Sequence, residues 1–289
     1  MPGEFRSDSQ VGQIVGLALM EDIGLGDITT DSVVPDEQPG RGKLLCKEEG
    51  IVAGLDVAAF VFRSCDDDVT IAPLVADGSD VYNGQTLATV EGDVRSLLRG
   101  ERTALNFVQR MSGIATVTRR YVKEVAGTRA RITDTRKTAP GLRMLDKKAV
   151  RLGGGVNHRL GLDDMVLIKD NHIVASAGIR NAVERSVSYL RRKRLDVAIE
   201  VETRNLDEVS EALSCPGVRR IMLDNFSTAE MTKAVTLIAH RVEVEASGGI
   251  TLDNVRSVAE TGVDFISIGA LTHSVKALDI SFEIAHTHS

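Results

Sequence analysis

Hydrophobic and polar positions change rhythm once along the chain, near residue 130. Beyond that point short apolar runs alternate with longer amphipathic stretches. The runs fall at 130–133, 165–168, 197–201, 220–223, 242–246 and 265–268 and predict strands. Helical spacing recurs at about 142–150, 176–193, 205–213, 227–239 and 251–261. Such alternation predicts βαβ units and a parallel sheet. Before residue 130 the rhythm is mixed. Val11, Ile14, Val15 and Leu19 predict a helix over 9–22. Two short strands are expected at 42–53 around Glu48-Glu49-Gly50, a buried helix at 55–64, and turn-punctuated strands up to Asp93. Residues 94–126 read as helix in two segments split near Gly113, with Leu97, Leu98, Leu105, Phe107, Val108 and Met111 on the apolar side.

The residues that follow each late run choose between parallel architectures. Asp134-Thr135-Arg136-Lys137 follow the first and Lys169-Asp170-Asn171-His172 the second. Glu200 and Glu202 flank the end of the third; Asp224-Asn225, Ser247-Gly248-Gly249 and Gly269-Ala270 follow the others. Charged or small residues at every strand end fit a (β/α) barrel, where those ends converge on one site. A dinucleotide-binding sheet would place G-x-G-x-x-G after its first strand, and the chain has none. With six clear strands, the expected barrel is incomplete or holds one further strand. Upstream, Gly78, Val81, Gly84 and Leu87 form a pattern that resembles the hammerhead of biotinyl and lipoyl domains. No lysine occupies a hairpin tip there, so a structural β-element is expected rather than a carrier site. Glu21, Asp22 and Asp27 lack metal-loop spacing, and Asp27 or Thr29 reads as a cap or turn former.

Composition removes several function classes. A net charge of −6 argues against a nucleic-acid binder held by bulk charge, so the basic residues act locally. Tryptophan is absent and aromatics make up 3%, which leaves an aliphatic core. Cys46, Cys65 and Cys215 are far apart and no C-x-x-C occurs; reduced thiols in a cytoplasmic protein are expected, and no zinc site. No apolar run approaches a membrane span, and MPGEFRSDSQ lacks the apolar core of a signal peptide. His286 and His288 in the tail are not read as metal ligands.

Candidate chemistry concentrates between residues 133 and 172. Arg136, Lys137, Arg143, Lys147, Lys148, Arg151, His158 and Arg159 lie between two strands, with Lys169 and His172 just beyond. Lys147 and Lys148 sit on a predicted helix and read as a solvated face. Arg136, Lys137, His158, Arg159 and Lys169 fall where strands become loops. The Gly153–Gly155 run could aim backbone N–H groups at an anion. Glu200, Glu202, Asp224 and Asp170 supply carboxylates, and Ser247-Gly248-Gly249 with Gly269-Ala270 look like late phosphate loops. Cations, carboxylates and phosphate loops together suit a phosphorylated sugar with Mg²⁺ and an acidic partner. Schiff-base chemistry on Lys169 is an alternative. A plain salt bridge from Lys169 to Asp170 or Glu200 is another. Arg99, Glu101 and Arg102 read from spacing alone as an exposed helix face.

The segments DTRKTAPGLR, GGGVNHRLGL, IKDNH, EVE, LDNFS, SGGI and IGALTHS occur in this order. With the earlier EDIGLGDITT, EEGIVAGL and GERTALNFVQRMSGIAT, they resemble the quinolinate phosphoribosyltransferase family over about residues 17–280. The resemblance implies an N-terminal α/β sandwich over 1–114 and an incomplete α/β barrel over 115–274. A last helix, within about 275–289, is expected to pack back on the sandwich. It implies transfer of phosphoribosyl from PRPP to quinolinate with decarboxylation, giving nicotinate mononucleotide for NAD synthesis. It implies Mg²⁺ and a homodimer. Carried over by motif, Arg136, His158, Arg159 and Lys169 would contact the quinolinate carboxylates, and Arg102 would reach the neighbouring subunit's site. Thr135, Lys137, Glu200, Asp224, Ser247, Gly248, Gly249, Gly269, Ala270 and His273 would contact PRPP, its metal or its phosphates. Lys137, Glu200 and Asp224 are the expected catalytic residues, Glu200 and Asp224 the expected metal ligands.

Three rivals stay in view: a related transferase using nicotinate or another acidic substrate, a Schiff-base lyase on Lys169, and a catalytically silent binding module. The intact polar set at every strand end argues against the last.

Overall fold

The computed structural model describes residues 4–285, so His286 and His288 lie outside the described residues. The elements run α1 (Glu4–Ile23), α2 (Ile28–Val33), β1 (Pro39–Cys46), β2 (Gly50–Ile51), α3 (Leu55–Cys65), β3 (Thr70–Pro73), β4 (Asp80–Val81), β5 (Thr86–Asp93) and α4 (Val94–Glu124). They continue with β6 (Arg131–Thr133), α5 (Arg143–Leu152), β7 (Val166–Ile168), α6 (Asp170–Ser176), α7 (Ile179–Lys193), β8 (Ile199–Thr203), α8 (Leu206–Ser214) and β9 (Val218–Asp224). The chain finishes with α9 (Thr228–Ile238), β10 (Glu243–Ser247), α10 (Val255–Ala259), β11 (Phe265–Ser267), α11 (Ala270–His273) and β12 (Ile280–Ala285). They form two compact units. The first takes the chain up to Arg119, Thr138–Gly154 and the segment from Leu271; the second is Arg120–Lys137 with Gly155–Ala270.

In the first unit an antiparallel sheet has the order β12-β1-β5-β3, and β2 pairs with β4. The last element is a strand, not the expected helix. Ile280, Phe282 and Ile284 alternate with Ser281 and Glu283, a period of two that suits a half-buried strand. Phe282 packs on Phe62 of α3 with ring centroids 5.6 Å apart, and Glu283 pairs with Lys43 and Lys47 at 3.2 Å each. Asp27 caps α2 by accepting the Thr30 N–H at 3.0 Å. Residues 138–154, expected with the barrel, group with the first unit. Arg110 of α4 grips the fully buried Asp146 of α5 through two bonds of 2.8 Å. Lys147 beside it is 1% exposed, so it is no solvated face; Lys148 is, and pairs with Asp56.

Two glycines act through what they let approach. α4 runs unbroken through Gly113, where a Cβ would stand 2.2 Å from the Lys276 carbonyl oxygen. Gly153 is likewise a packing residue, since a Cβ there would stand 2.5 Å from the Ala115 carbonyl oxygen. The Gly153 and Gly154 N–H groups close the end of α5 on Ala149 and Arg151, so they are not aimed at an anion.

The second unit carries all six expected parallel strands, in the order β6-β11-β10-β9-β8-β7. Strands β7 to β11 follow in sequence and β6 closes beside β11. The open edge lies between β6 and β7, where a lone parallel bridge joins Thr133 to Val156. That bridge is all that stands in place of a further strand among the described residues. Helix starts follow side-chain chemistry: Asn205 accepts the Glu208 N–H at 2.9 Å, and Ser227 with Glu230 forms a capping box on α9.

Gly113→Ala should cost roughly 1–3 kcal/mol, because the clash is with main chain that has no rotamer to yield. A lower urea midpoint at unchanged slope would show it; an unchanged midpoint would contradict the close approach.

Candidate active site

Strand alternation builds the site. In-register pairs put Ile199, Val201, Ile221, Leu223, Val244, Ala246, Ile266, Ile132 and Ile168 on one face of the parallel sheet. That apolar face takes the helices α7, α8 and α10. The opposite face carries Leu167, Glu200, Glu202, Arg220, Met222, Asp224, Glu245, Ser247, Phe265 and Ser267. Parallel strands covered on both sides are usually apolar throughout. A charged inner face therefore marks a site and not a core.

A cavity of about 320 Å³ opens at the C-terminal ends of these strands. Thr135, Arg136 and Lys137 line it from the end of β6, Lys169 from β7, Glu202 from β8 and Asp224 from β9. Ser247 joins from β10, with His158 and Arg159 from the loop before β7. Lys169 Nζ meets Glu202 Oε2 at 2.9 Å. This is the salt bridge open from the sequence, but its partner is neither Asp170 nor Glu200. Arg159 is buried, and its guanidinium donates to the Met165 carbonyl at 3.1 Å. Burial, then the like charge of Arg136, lowers its pKa from the ordinary value. Two guanidinium groups that repel each other gain most from a ligand bearing more than one negative charge.

Beneath the cavity lies a buried polar layer. His158 Nε2 stands 3.1 Å from Glu200 Oε2 and 3.5 Å from Glu245 Oε1. Its Nδ1 accepts the Arg159 main-chain N–H at 2.9 Å, and its own main-chain N–H donates to Asp134 Oδ1 at 2.9 Å. Glu200 and Glu245 are both 0% exposed. Burial pushes both carboxyls up to about 7; the Glu200 charge adds to the push on Glu245, while Arg220 opposes it on both. Arg220 donates to Glu245 Oε2 at 3.0 Å and lies over the Phe265 ring, 3.9 Å from its centroid.

Of the residues singled out from sequence, Thr135, Arg136, Lys137, His158, Arg159, Lys169, Glu202, Asp224 and Ser247 share this cavity. Gly248 and Gly249 continue from Ser247 at φ +92° and +62°. A Cβ on Gly248 would stand 2.2 Å from Asn225 Oδ1, so that loop needs glycine twice over. Gly269 and Ala270 follow β11. Arg102 and His273 belong to the first unit. Glu200 does not line the cavity, although it was expected as catalytic residue and metal ligand. Its neighbour two positions on, Glu202, does, and faces inward by the same alternation. Glu245 also lines the floor and was missed, because in sequence it sits inside an apolar run. A period-two reading of 243–247 would have found it.

Carboxylates at the cavity wall are hard oxygen donors of the kind Mg²⁺ takes together with substrate phosphates. Glu202 and Asp224 fit that description. Glu200 does not, because the floor seals its carboxyl.

Two family descriptions match the chain: Quinolinate phosphoribosyl transferase, N-terminal domain, over residues 27–112, and its C-terminal domain over 114–283. A mitochondrial quinolinate phosphoribosyltransferase [decarboxylating] 2 of Nicotiana glauca is 45% identical over 94% of this chain and 81% of its own. A probable nicotinate-nucleotide pyrophosphorylase [carboxylating] of Synechocystis is 46% identical over 92% of this chain and 90% of its own. A solved nicotinate-nucleotide pyrophosphorylase from Francisella tularensis superposes with a TM-score of 0.91 at 39% identity, covering 96% of both chains. Strand ends that gather cations, carboxylates and a glycine loop, on a chain matched along nearly its whole length, place this protein in the quinolinate phosphoribosyltransferase family.

Proposed function

We infer that this chain transfers the phosphoribosyl group of PRPP to the ring nitrogen of quinolinate and releases pyrophosphate and CO₂, leaving nicotinate mononucleotide. The observation that carries this reading is the cavity that gathers Arg136, Arg159 and Lys169 together with Glu202 and Asp224. The cations hold the two ring carboxylates and orient the nitrogen toward the sugar. Positive charge develops on the ribose as its bond to pyrophosphate breaks, and Glu202 and Asp224 face that charge. Ser247, Gly248 and Gly249, with Gly269 and Ala270, receive the 5′-phosphate on main-chain N–H groups, and Thr135 and Lys137 meet the pyrophosphate. Mg²⁺, held by Glu202 and Asp224, would neutralise phosphate charge. Once the nitrogen is quaternised, the bond from C2 to its carboxylate breaks. The electron pair stays beside the positive nitrogen until C2 takes a proton. No side-chain nucleophile is needed.

The working unit is a homodimer in this reading. Leu17, Met20, Leu25, Ile28 and Val33 expose an apolar surface on α1 and α2 and the link between them, which a second copy would cover. Arg102, on α4, is exposed and available to a partner's cavity. No helix among the described residues is long and apolar enough to cross a membrane, and the three cysteines are unpaired, in keeping with a reducing compartment.

Product analysis with quinolinate, then nicotinate, in the presence of PRPP tests the function; turnover of nicotinate alone would overturn it. Arg136→Ala should lower kcat/KM for quinolinate by about 10- to 100-fold, the range for losing one charge-assisted bond. Glu202→Gln should raise the Mg²⁺ concentration giving half-maximal rate, while Glu200→Gln leaves it in place; the reverse order would return the metal to Glu200. Arg102→Ala and Lys169→Ala chains, each inactive alone, should regain activity when mixed as dimers. Failure of exchanged dimers to recover would place Arg102 outside the partner's site.

A further inference from the structure

We propose that Asn225 and Asn254, two residues outside the cavity lining, are positioning residues for PRPP: they take the carbonyls of the Ser247–Gly249 turn, and Asn225 also takes the Asp224 carboxylate, so that ribose and 5′-phosphate meet the site at a set spacing. The inference rests on the phosphoribosyl reading above and deepens it. It gives two residues with no part in the transfer control over one substrate and not the other.

Asn225 makes three contacts. Its main-chain N–H donates to the Ser247 carbonyl at 2.9 Å. Its Nδ2 donates to Asp224 Oδ2 at 3.0 Å. A carboxylate only accepts, so the amide nitrogen must be the atom that faces Asp224. The amide oxygen lies against Gly248, where a Cβ would stand 2.2 Å from it. Residue 225 does this from the left-handed region, at φ +58°, which asparagine tolerates better than most side chains. Phe226, buried, anchors the chain just beyond.

Asn254 acts on the other end of the turn. Its Nδ2 donates to the Gly249 carbonyl at 2.9 Å, and its Oδ1 accepts the Thr251 N–H at 2.9 Å. A trans peptide points its carbonyl and its N–H in opposite directions. With the Ser247 carbonyl held on Asn225, the Gly248 N–H is aimed the other way. With the Gly249 carbonyl held on Asn254, so is the Ile250 N–H. A turn fixed by its carbonyls in this way is suited to receive an anion on its amides.

Asp224 and Ser247 are already register partners across β9 and β10, and Asn225 ties them a second time. In this reading one of these strand ends meets the ribose and the other its 5′-phosphate, so their spacing must match a single molecule of PRPP. Quinolinate rests on Arg136, Arg159 and Lys169, which belong to other strand ends.

Three variants separate the contacts. Asn225→Gly keeps the left-handed backbone and the main-chain bond and removes the carboxamide. Asn225→Asp keeps the shape and removes the donor. Asn254→Asp keeps the acceptor for Thr251 and removes the donor to Gly249. Titration calorimetry on the full chain reads the site without turnover, with ribose 5-phosphate as probe in the presence of quinolinate and quinolinate titrated separately. Each variant should bind ribose 5-phosphate about tenfold more weakly, the equivalent of one charge-assisted hydrogen bond, and quinolinate within about twofold of the wild type. KM for PRPP should rise by a similar factor while KM for quinolinate holds. Equal weakening toward both ligands marks a merely structural role and overturns the proposal. So does a loss confined to the two aspartate variants, which would trace to added negative charge and not to position. Variants that bind as the wild type does overturn this inference alone. A wild-type chain that binds quinolinate but neither binds ribose 5-phosphate nor turns over PRPP overturns the phosphoribosyl reading, and the inference with it.

Discussion

Two carboxylates and one guanidinium share the inside of a parallel sheet here, and the rest of the site stands on that arrangement. Glu200 and Glu245 are sealed from solvent. A buried carboxylate costs several kcal/mol unless partners meet it. Arg220 donates to Glu245 Oε2 at 3.0 Å, while both Glu200 oxygens and Glu245 Oε1 make no hydrogen bond, and burial pushes the two carboxyls up to about 7. Removing Arg220 takes away the one hydrogen bond that Glu245 Oε2 receives from it. His158 is held by Asp134, which takes its main-chain N–H at 2.9 Å.

That fixed floor explains how the cavity tolerates its crowded cations. Arg136 and Arg159 repel one another, and Arg159 is buried as well. Left on mobile loops, such groups would swing apart into solvent. Here Arg159 is tied through its amide to His158 and through its guanidinium to Met165. Lys169 is restrained by Glu202. The repulsion is then relieved by ligand rather than by motion, the preorganisation that makes electrostatic recognition effective. Opposite them, the Gly248 turn is kept open by Asn225, whose own φ is +58° and whose N–H returns to the Ser247 carbonyl at 2.9 Å.

The first unit is governed by close approach. Gly113 and Gly153 let main chain from distant sequence lie against α4, and Arg110 locks Asp146 in the same region. These contacts assign residues 138–154 to that unit even though their sequence neighbours on both sides belong to the sheet. The closing strand obeys the same logic: Gly42 leaves room for the Phe282 ring, since a Cβ there would stand 2.1 Å from it.

The order of amino acids was enough to specify the parallel sheet, its six strands, and nine of the residues that line the cavity. Those features are local: a short apolar run between turns is a strand wherever it is placed, and polar residues just after it sit at its C-terminal end. Packing in three dimensions decided which of two glutamates two residues apart lines the cavity. Glu200 and Glu202 point to the same face, and only depth along the barrel separates a sealed floor from an open wall. It also put Glu245 in the cavity lining with Arg220 bonded to it, since a charge within an apolar run gains meaning only from its neighbours on adjacent strands. The unbroken α4 at Gly113, the buried Lys147 and the final strand at Ile280–Ala285 turn on the same cause. Each is set by what packs against the residue from far along the chain, which periodicity within one segment does not carry.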